Sequence, residues 1–259
     1  MAYETLLTEI GDDFVAIITL NRAEQLNTFT PTLASELNDA LLTLDGNDRV
    51  RVIIIKGAGK AFCAGIDVNN LFGQSAMQYR EWIEAMERPL AAISCLKKPV
   101  IAQVHGVAAA NGAGLVAACD LAVAADNARL GLTAINVGLN CVGPVIPVRT
   151  SIGRKRSLEM LFYGDLIGAS QACEWGLLNK VVPAAELESA TRQWAASLAA
   201  RSPVATQISK TAYYASEDMS YHQAFAYMNE AFARLCTTDD AKEGVTAFFD
   251  KRQPDWQGK

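Results

Sequence analysis

An α/β core followed by a helical C-terminal region is the fold class this sequence predicts, and three observations predict it. Residues 52–55 form a continuous apolar β-branched run, and 100–104 read as another buried strand, of the kind covered on both faces. Each run leads into a loop of glycine and other small residues, and a helical pattern separates the two. From residue 184 to 249 the pattern is almost wholly helical, with one break at Ser202-Pro203.

The elements follow in order. Residues 6–9 and 14–20 read as two strands joined by the turn Gly11-Asp12-Asp13, so a hairpin opens the chain. Thr30 is placed as an N-cap and Pro31 in the first turn of a helix whose apolar stripe is Leu33, Leu37, Leu41 and Leu44. The strand at 52–55 ends at Gly57-Ala58-Gly59. A helix is expected over 79–96, then Pro99 and the strand at 100–104. Strands are expected again at 121–124 and 129–132, and an apolar run at 177–182 interrupts the helical periodicity that begins at Lys155. We expect residues 1–195 to form the ligand-binding core and 196–259 a helical oligomerisation region.

With 259 residues, burying a large core presents no difficulty. The net charge of −5 gives no basic footprint for nucleic acid or an anionic membrane, so a phosphorylated ligand needs a local basic pocket. No apolar run approaches the ~20 residues that span a bilayer, and the first residues, Met1-Ala2-Tyr3, show no leader signal, so the expected compartment is the cytoplasm. The six cysteines show no metal-ligand spacing and are expected as reduced thiols packed in a core. The two histidines, His105 and His222, are far apart, and no metal site is expected.

The loops after the two buried strands carry the chemistry. Polarising a carbonyl takes two backbone N–H groups aimed at one point, in a setting that side chains do not obstruct. In Gly59-Lys60-Ala61-Phe62-Cys63-Ala64-Gly65-Ile66-Asp67, Gly65 is free to adopt a conformation closed to other residues and to leave the Ile66 N–H exposed, with Asp67 read as a helix cap behind it. The second loop, from His105-Gly106 through Asn111-Gly112-Ala113-Gly114-Leu115, enters an apolar helix, whose N-terminus offers unpaired amides.

These two loops resemble signatures of the crotonase (enoyl-CoA hydratase/isomerase) superfamily: Phe-(Cys/Ser/Ala)-Ala-Gly-x-Asp, and Val-(Asn/His)-Gly-x-Ala running to Cys119-Asp120. Asn21-Arg22-Ala23-Glu24-Gln25-Leu26-Asn27 is similar to the family's CoA-binding loop, and the stretch from Gly244 to Pro254 to its closing segment. The resemblance spans nearly the whole chain. It implies a spiral of strand-strand-helix units with C-terminal helices for trimers or dimers of trimers. It further implies an acyl-CoA or enoyl-CoA substrate, with coenzyme A part of that substrate and no separate cofactor. The oxyanion hole would be the Ile66 and Asn111 N–H groups, and the substrate-binding set Glu24, Gln25, Leu26, Ala64, Gly65, Asp67, Gly112, Cys141 and Lys251. Phosphate contacts are expected from among Arg22, Lys60, Lys251 and Arg252.

The resemblance stops short of the family's acid-base pair. The two glutamates that hydratases use fall on Gly114 and Ala134, and the isomerase acid position falls on Val142. Substitutes are sought among Asp67, Glu81, Glu84 and Glu87, or in polar roles for Asn136, Asn140 and Cys141. The three glutamates read as the solvated face of a helix, and Cys141 has no neighbouring histidine to activate it. His105 reads as a loop anchor, His222 as a surface or interface residue, and the Asn111 side chain as a helix cap or as an amide that donates to or crowds the thioester. Three functions stay open: a hydratase/isomerase-type enzyme, a CoA-thioester-binding protein with little or no catalysis, and a hydrolase or decarboxylase using the same oxyanion hole.

Overall fold

The computed structural model describes residues 3–69 and 71–259. The first two residues, read above for a leader, and residue 70, within the stretch between the two loops, lie outside the described residues. Strands β1 (Leu6–Ile10) and β2 (Val15–Leu20) form the expected hairpin, and helix α1 (Pro31–Asp45) follows, with Thr30 accepting the Leu33 N–H at 3.2 Å. Next come β3 (Val52–Gly57), α2 (Ala76–Ile93), β4 (Val100–Val104), the short β5 (Val107–Ala109) and α3 (Asn111–Ala118). They are followed by β6 (Leu121–Ala125), β7 (Arg129–Gly131), α4 (Val145–Tyr163), β8 (Ile167–Gly168), α5 (Ala169–Trp175) and β9 (Lys180–Val182). Four helices close the chain: α6 (Leu187–Ala199), α7 (Pro203–Ser216), α8 (Tyr221–Cys236) and α9 (Asp239–Asp250).

The main sheet has the order β1-β2-β3-β4-β6-β9, parallel throughout except for β1. A smaller sheet, β5-β7-β8, stands beside it. The apolar character of these strands is explained by burial on both faces. Along β2 and β3, Ala16, Ile18, Leu20, Ile53 and Ile55 face the larger core under α1, α2 and α3, whereas Val15, Ile17, Val52 and Ile54 face a second core closed by Leu187, Ala195 and Ala199 of α6. Helix α6 therefore runs across residue 195 and seals the back of the sheet.

Three expectations need revision. The helix expected from Lys155 begins ten residues earlier, at Val145, and bends at Gly153, which has a left-handed φ of 73°. Its early turns, Val145-Ile146-Pro147-Val148, carry no polar spacing from which a helical period could be read. The helix expected from 79 starts at Ala76, where Ser75 and Gln78 form a capping box. Of the cysteines, Cys63, Cys119 and Cys141 are buried, but Cys95 and Cys236 are exposed, so the core-packed reading holds for only part of the set.

Helix α7 is tied to the sheet by a buried ionic knot. Lys210 Nζ donates to Asp120 Oδ2 at 2.6 Å and to the Lys98 carbonyl at 2.9 Å, while the same carboxylate accepts the Val100 N–H at 2.7 Å and the Tyr214 hydroxyl at 2.9 Å. Burial, reinforced by the charge of Asp120, pushes the Tyr214 hydroxyl well above its usual range. Replacing Asp120 by Ala strands Lys210 in a buried setting without its counter-charge. It is expected to cost about 3–5 kcal/mol of stability, measured as a lowered midpoint in urea unfolding.

Candidate active site

The parallel strands direct the loops that follow β3 and β4 to the same edge of the sheet, where ligands of open α/β sheets bind. There the two loops are zipped together by backbone hydrogen bonds. Phe62 N–H donates to the His105 carbonyl at 3.0 Å, Cys63 N–H to the Val107 carbonyl at 3.1 Å, and Ala109 N–H back to the Cys63 carbonyl at 2.9 Å. Such close approach requires glycine at specific points. A Cβ on Gly106 would overlap the Lys60 carbonyl oxygen, and one on Gly112 would overlap that of Cys63. His105 Nε2 lies 3.0 Å from the Gly59 carbonyl oxygen, the loop anchor expected from its position.

The apposition sets two amides side by side. Gly65 takes φ 117°, as the sequence requires, and a Cβ there would stand 3.1 Å from Ala110 Cβ. The peptides leading to Ile66 and to Asn111 thus start from touching residues. Neither N–H finds a hydrogen-bond acceptor among the described residues: the Ile66 N–H points away from the bridge to Phe29, and the Asn111 N–H opens helix α3. Ala110 preserves this orientation at φ 49° and ψ −114°, a conformation that costs a non-glycine residue roughly 1–3 kcal/mol.

Around this pair, the other expected residues fall into distinct roles. Glu24 and Gln25 form a single 3₁₀ turn, and Leu26 follows in the left-handed region with its carbonyl accepting the Ala64 N–H at 3.0 Å. Arg22 does not face outward as a phosphate ligand. Its guanidinium donates to the Thr28 carbonyl and pairs with Asp67 at 3.2 Å. Asp67 is likewise not a helix cap: it closes an Asx turn on the Asn69 N–H at 3.1 Å, and the next helix among the described residues, α2, starts at Ala76. The Asn69 N–H, with the Arg22 guanidinium, holds the Asp67 carboxyl below the usual carboxylate range. Arg252 is engaged by Glu243 at 2.6 and 2.9 Å, whereas Lys60 and Lys251 form no ion pair among the described residues. Lys251 caps the C-terminus of α9 in the left-handed region, and no hydrogen bond joins it to the two loops.

Cys141 is buried, and that burial pushes its thiol up, which leaves it a poor nucleophile. Asn140 accepts the Cys141 N–H at 2.8 Å, and Asn136 donates to the Gly164 carbonyl at 3.1 Å, so both side chains hold the loop. His222 is exposed, edge-on to Tyr221. Ala134 is half-buried on a 3₁₀ turn packed against the core. At Gly114 a Cβ would stand 2.8 Å from Pro144 Cβ and 3.0 Å from Leu90 Cδ2, so the room a longer side chain needs there has been filled.

Two further side chains differ from their sequence readings. Asn111 does not cap α3; it is the helix's first residue, almost completely buried, and its Nδ2 finds no acceptor. Glu81 and Glu84 are exposed as expected, but Glu87 is half-buried with Oε1 sealed from solvent and unpartnered, and burial pushes its carboxyl up. Beside the first loop, Thr30, Asp67, Asn69, Leu71, Tyr79, Trp82 and Met86 line a cleft of about 260 Å³ together with Pro31 and Gln74.

Residues 11–259 match the model of the enoyl-CoA hydratase/isomerase family. The human mitochondrial enoyl-CoA hydratase domain-containing protein 3 is 35% identical over 94% of this chain and 81% of its own length. A crotonyl-CoA hydratase from Syntrophomonas wolfei is 31% identical over the full length of both chains. Among solved structures, an enoyl-CoA hydratase from Mycobacterium smegmatis superposes with a TM-score of 0.94 at 34% identity, covering 97% of this chain and 98% of that one. The chain belongs to the enoyl-CoA hydratase/isomerase family, and its fold is the α/β crotonase fold with C-terminal helices. Among the described residues, no helix is long and apolar enough to cross a membrane.

The glycine at the loop junction offers a direct check. Gly112→Ala drives a Cβ into the Cys63 carbonyl and is expected to lower stability by about 1–3 kcal/mol. Gly46→Ala, where a Cβ meets only ordinary contacts at 3.7 Å, serves as the control and should stay within ~0.5 kcal/mol of the parent in urea unfolding.

Proposed function

We propose that the chain binds the thioester of an acyl- or enoyl-CoA and holds the enolate oxygen between the Ile66 and Asn111 N–H groups. The observation that carries this reading is the pair of unsatisfied amides issuing from Gly65 and Ala110, two residues in contact. Donors fixed in this way stabilise charge as it develops without reorganising. Helix α3 adds its N-terminal partial charge behind Asn111. The cleft lined by Tyr79, Trp82 and Met86 is the expected acyl pocket, and Lys60 and Lys251 are the cations left for the CoA phosphates.

A binding-only reading has its own support, since Gly114 and Ala134 place no carboxylate where family hydratases have one. Both readings predict that isothermal calorimetry with butyryl-CoA detects binding; absence of heat at millimolar ligand would refute both. Assayed beside the Syntrophomonas wolfei relative, this protein should hydrate crotonyl-CoA about 10²–10⁴-fold more slowly, the usual worth of general acid-base participation. Equal rates would show that the absent glutamates are not needed.

The assembly reading rests on the terminal helices. Trp194 and Leu198 pack against the sheet, but Tyr221, Phe225 and Phe232 of α8 and Phe248 and Phe249 of α9 remain exposed. Aromatic faces of this extent are covered in stable proteins, and the family reading assigns the cover to further copies of the chain as a trimer or dimer of trimers. Sedimentation is expected to give a species of at least three protomers, and a monomer at micromolar concentration would exclude it.

A further inference from the structure

Building on the thioester reading above, we propose that Glu87, on helix α2, is the proton-transferring group of this site, shuttling a proton between the α and γ carbons of an enoyl thioester. Glu87 Oε1 and Asn111 Nδ2 are buried side-chain atoms without a hydrogen-bond partner among the described residues. A polar atom sealed away from water and left unpaired is kept at a cost in stability, and such atoms concentrate where a ligand completes the contact.

The carboxyl reaches the site because of what surrounds it. It rests against Gly143 so closely that any Cβ there would overlap it. The next residue, Pro144, together with Leu90 of α2, occupies the space beside Gly114. One side chain position has therefore been closed by a proline and a leucine, while the adjoining glycine admits a carboxyl from another element. Helices α2 and α3 both carry the chain from the carboxyl edge of the sheet back to the start of a parallel strand, β4 and β6. Their N-terminal turns lie at the same end, so Glu87 stands one turn nearer that end than Leu90, as Asn111 stands one turn nearer it than Gly114. The carboxyl is thus brought to the level of the oxyanion donor.

A single carboxyl suffices for a 1,3-proton transfer. The Glu87 carboxylate takes a proton from the α carbon of a 3-enoyl thioester; the C–H pair becomes the bond between the α carbon and the carbonyl carbon, and the carbonyl π pair moves to the oxygen held by Ile66 and Asn111 N–H. When the carbonyl reforms, the pair shifts to join the α and β carbons, and the former β–γ π pair takes the proton from the Glu87 carboxylic acid at the γ carbon. No water is added and no electrons are exchanged. Desolvation, which raises the carboxyl, suits a base that must become an acid within one cycle.

The test compares the parent protein, Glu87→Gln and Gly143→Ala. Exchange of the α hydrogens of butyryl-CoA in heavy water is followed by mass spectrometry, conversion of 3-hexenoyl-CoA to the 2-enoyl isomer by absorbance, and butyryl-CoA binding by calorimetry. The parent is expected to exchange and isomerise. Glu87→Gln, which keeps the shape, should bind with unchanged affinity but lose both reactions by about 10²–10⁴-fold. Gly143→Ala, which displaces the carboxyl without removing it, should lose them in part. Binding without exchange or isomerisation by the parent overturns the proposal and leaves the thioester reading standing, as does full activity in Glu87→Gln or in Gly143→Ala. If the parent does not bind butyryl-CoA, the thioester reading itself falls, and Glu87 with it.

Discussion

The backbone-to-backbone contact between the loop after β3 and the loop after β4 is the constraint on which the rest of the site depends. Cys63 lies between Val107 and Ala109, donating to one and accepting from the other. The contact is possible only because Gly106 and Gly112 have no side chain to hold the Lys60 and Cys63 carbonyls away. Once it forms, the positions of the Ile66 and Asn111 amides follow, since each is one peptide beyond a residue locked in the contact. Asn27 secures the far side, its Nδ2 bridging the Ala58 and Ala61 carbonyls at 2.9 and 2.8 Å. The Arg22–Asp67 pair then fixes the exit of the first loop. Most of the site's geometry is held by main chain and by side chains bonded to main chain.

Much of this was legible in the sequence because it is written in residue types with one structural use. Continuous Val and Ile runs gave the central strands, Thr30-Pro31 the start of α1, and Gly65 the left-handed turn. What was not legible depends on distance across the fold. Glu87 reads as one of three solvated glutamates at helical spacing, and only the packing of Gly143 beside it separates it from Glu81 and Glu84. Arg22 and Arg252 read as free cations, but they meet Asp67 and Glu243 through tertiary contacts that no local pattern announces. A signal for Glu87 was available in principle: Gly143-Pro144 directly after an exposed valine is an unusual opening for a helix, and a glycine there asks what fills its space.

The same reasoning separates the two halves of the chemistry. An oxyanion hole of amides is insensitive to the side chains at its own positions, so Ala110 and Asn111 leave the donors in place. Acid-base chemistry depends on one side chain reaching one point, and it is lost or moved by a single substitution. Gly114 illustrates the difference: with Pro144 and Leu90 packed over it, returning a long side chain to that position means displacing a proline that starts the path into α4.

The buried donor at Asn111 completes this picture. Its amide Nδ2 has no acceptor among the described residues, and the strained Ala110 that precedes it holds the helix start so that the side chain does not turn back to cap α3. Burying an unpaired amide costs roughly 1–3 kcal/mol, and Ala110 adds its own strain. Glycine at 110 and 111 would relieve both, so the chain sustains two local costs at the point where the proposed reading holds negative charge. A neutral donor and a desolvated carboxyl, on neighbouring helices at the same level, also respond oppositely to charge. Under the proposed chemistry, the Glu87 carboxyl is relieved of its own buried charge when it takes the α proton, and the enolate that forms is held by the Ile66 and Asn111 N–H groups. On that reading the desolvated carboxyl is least costly in the protonated state that accompanies the enolate.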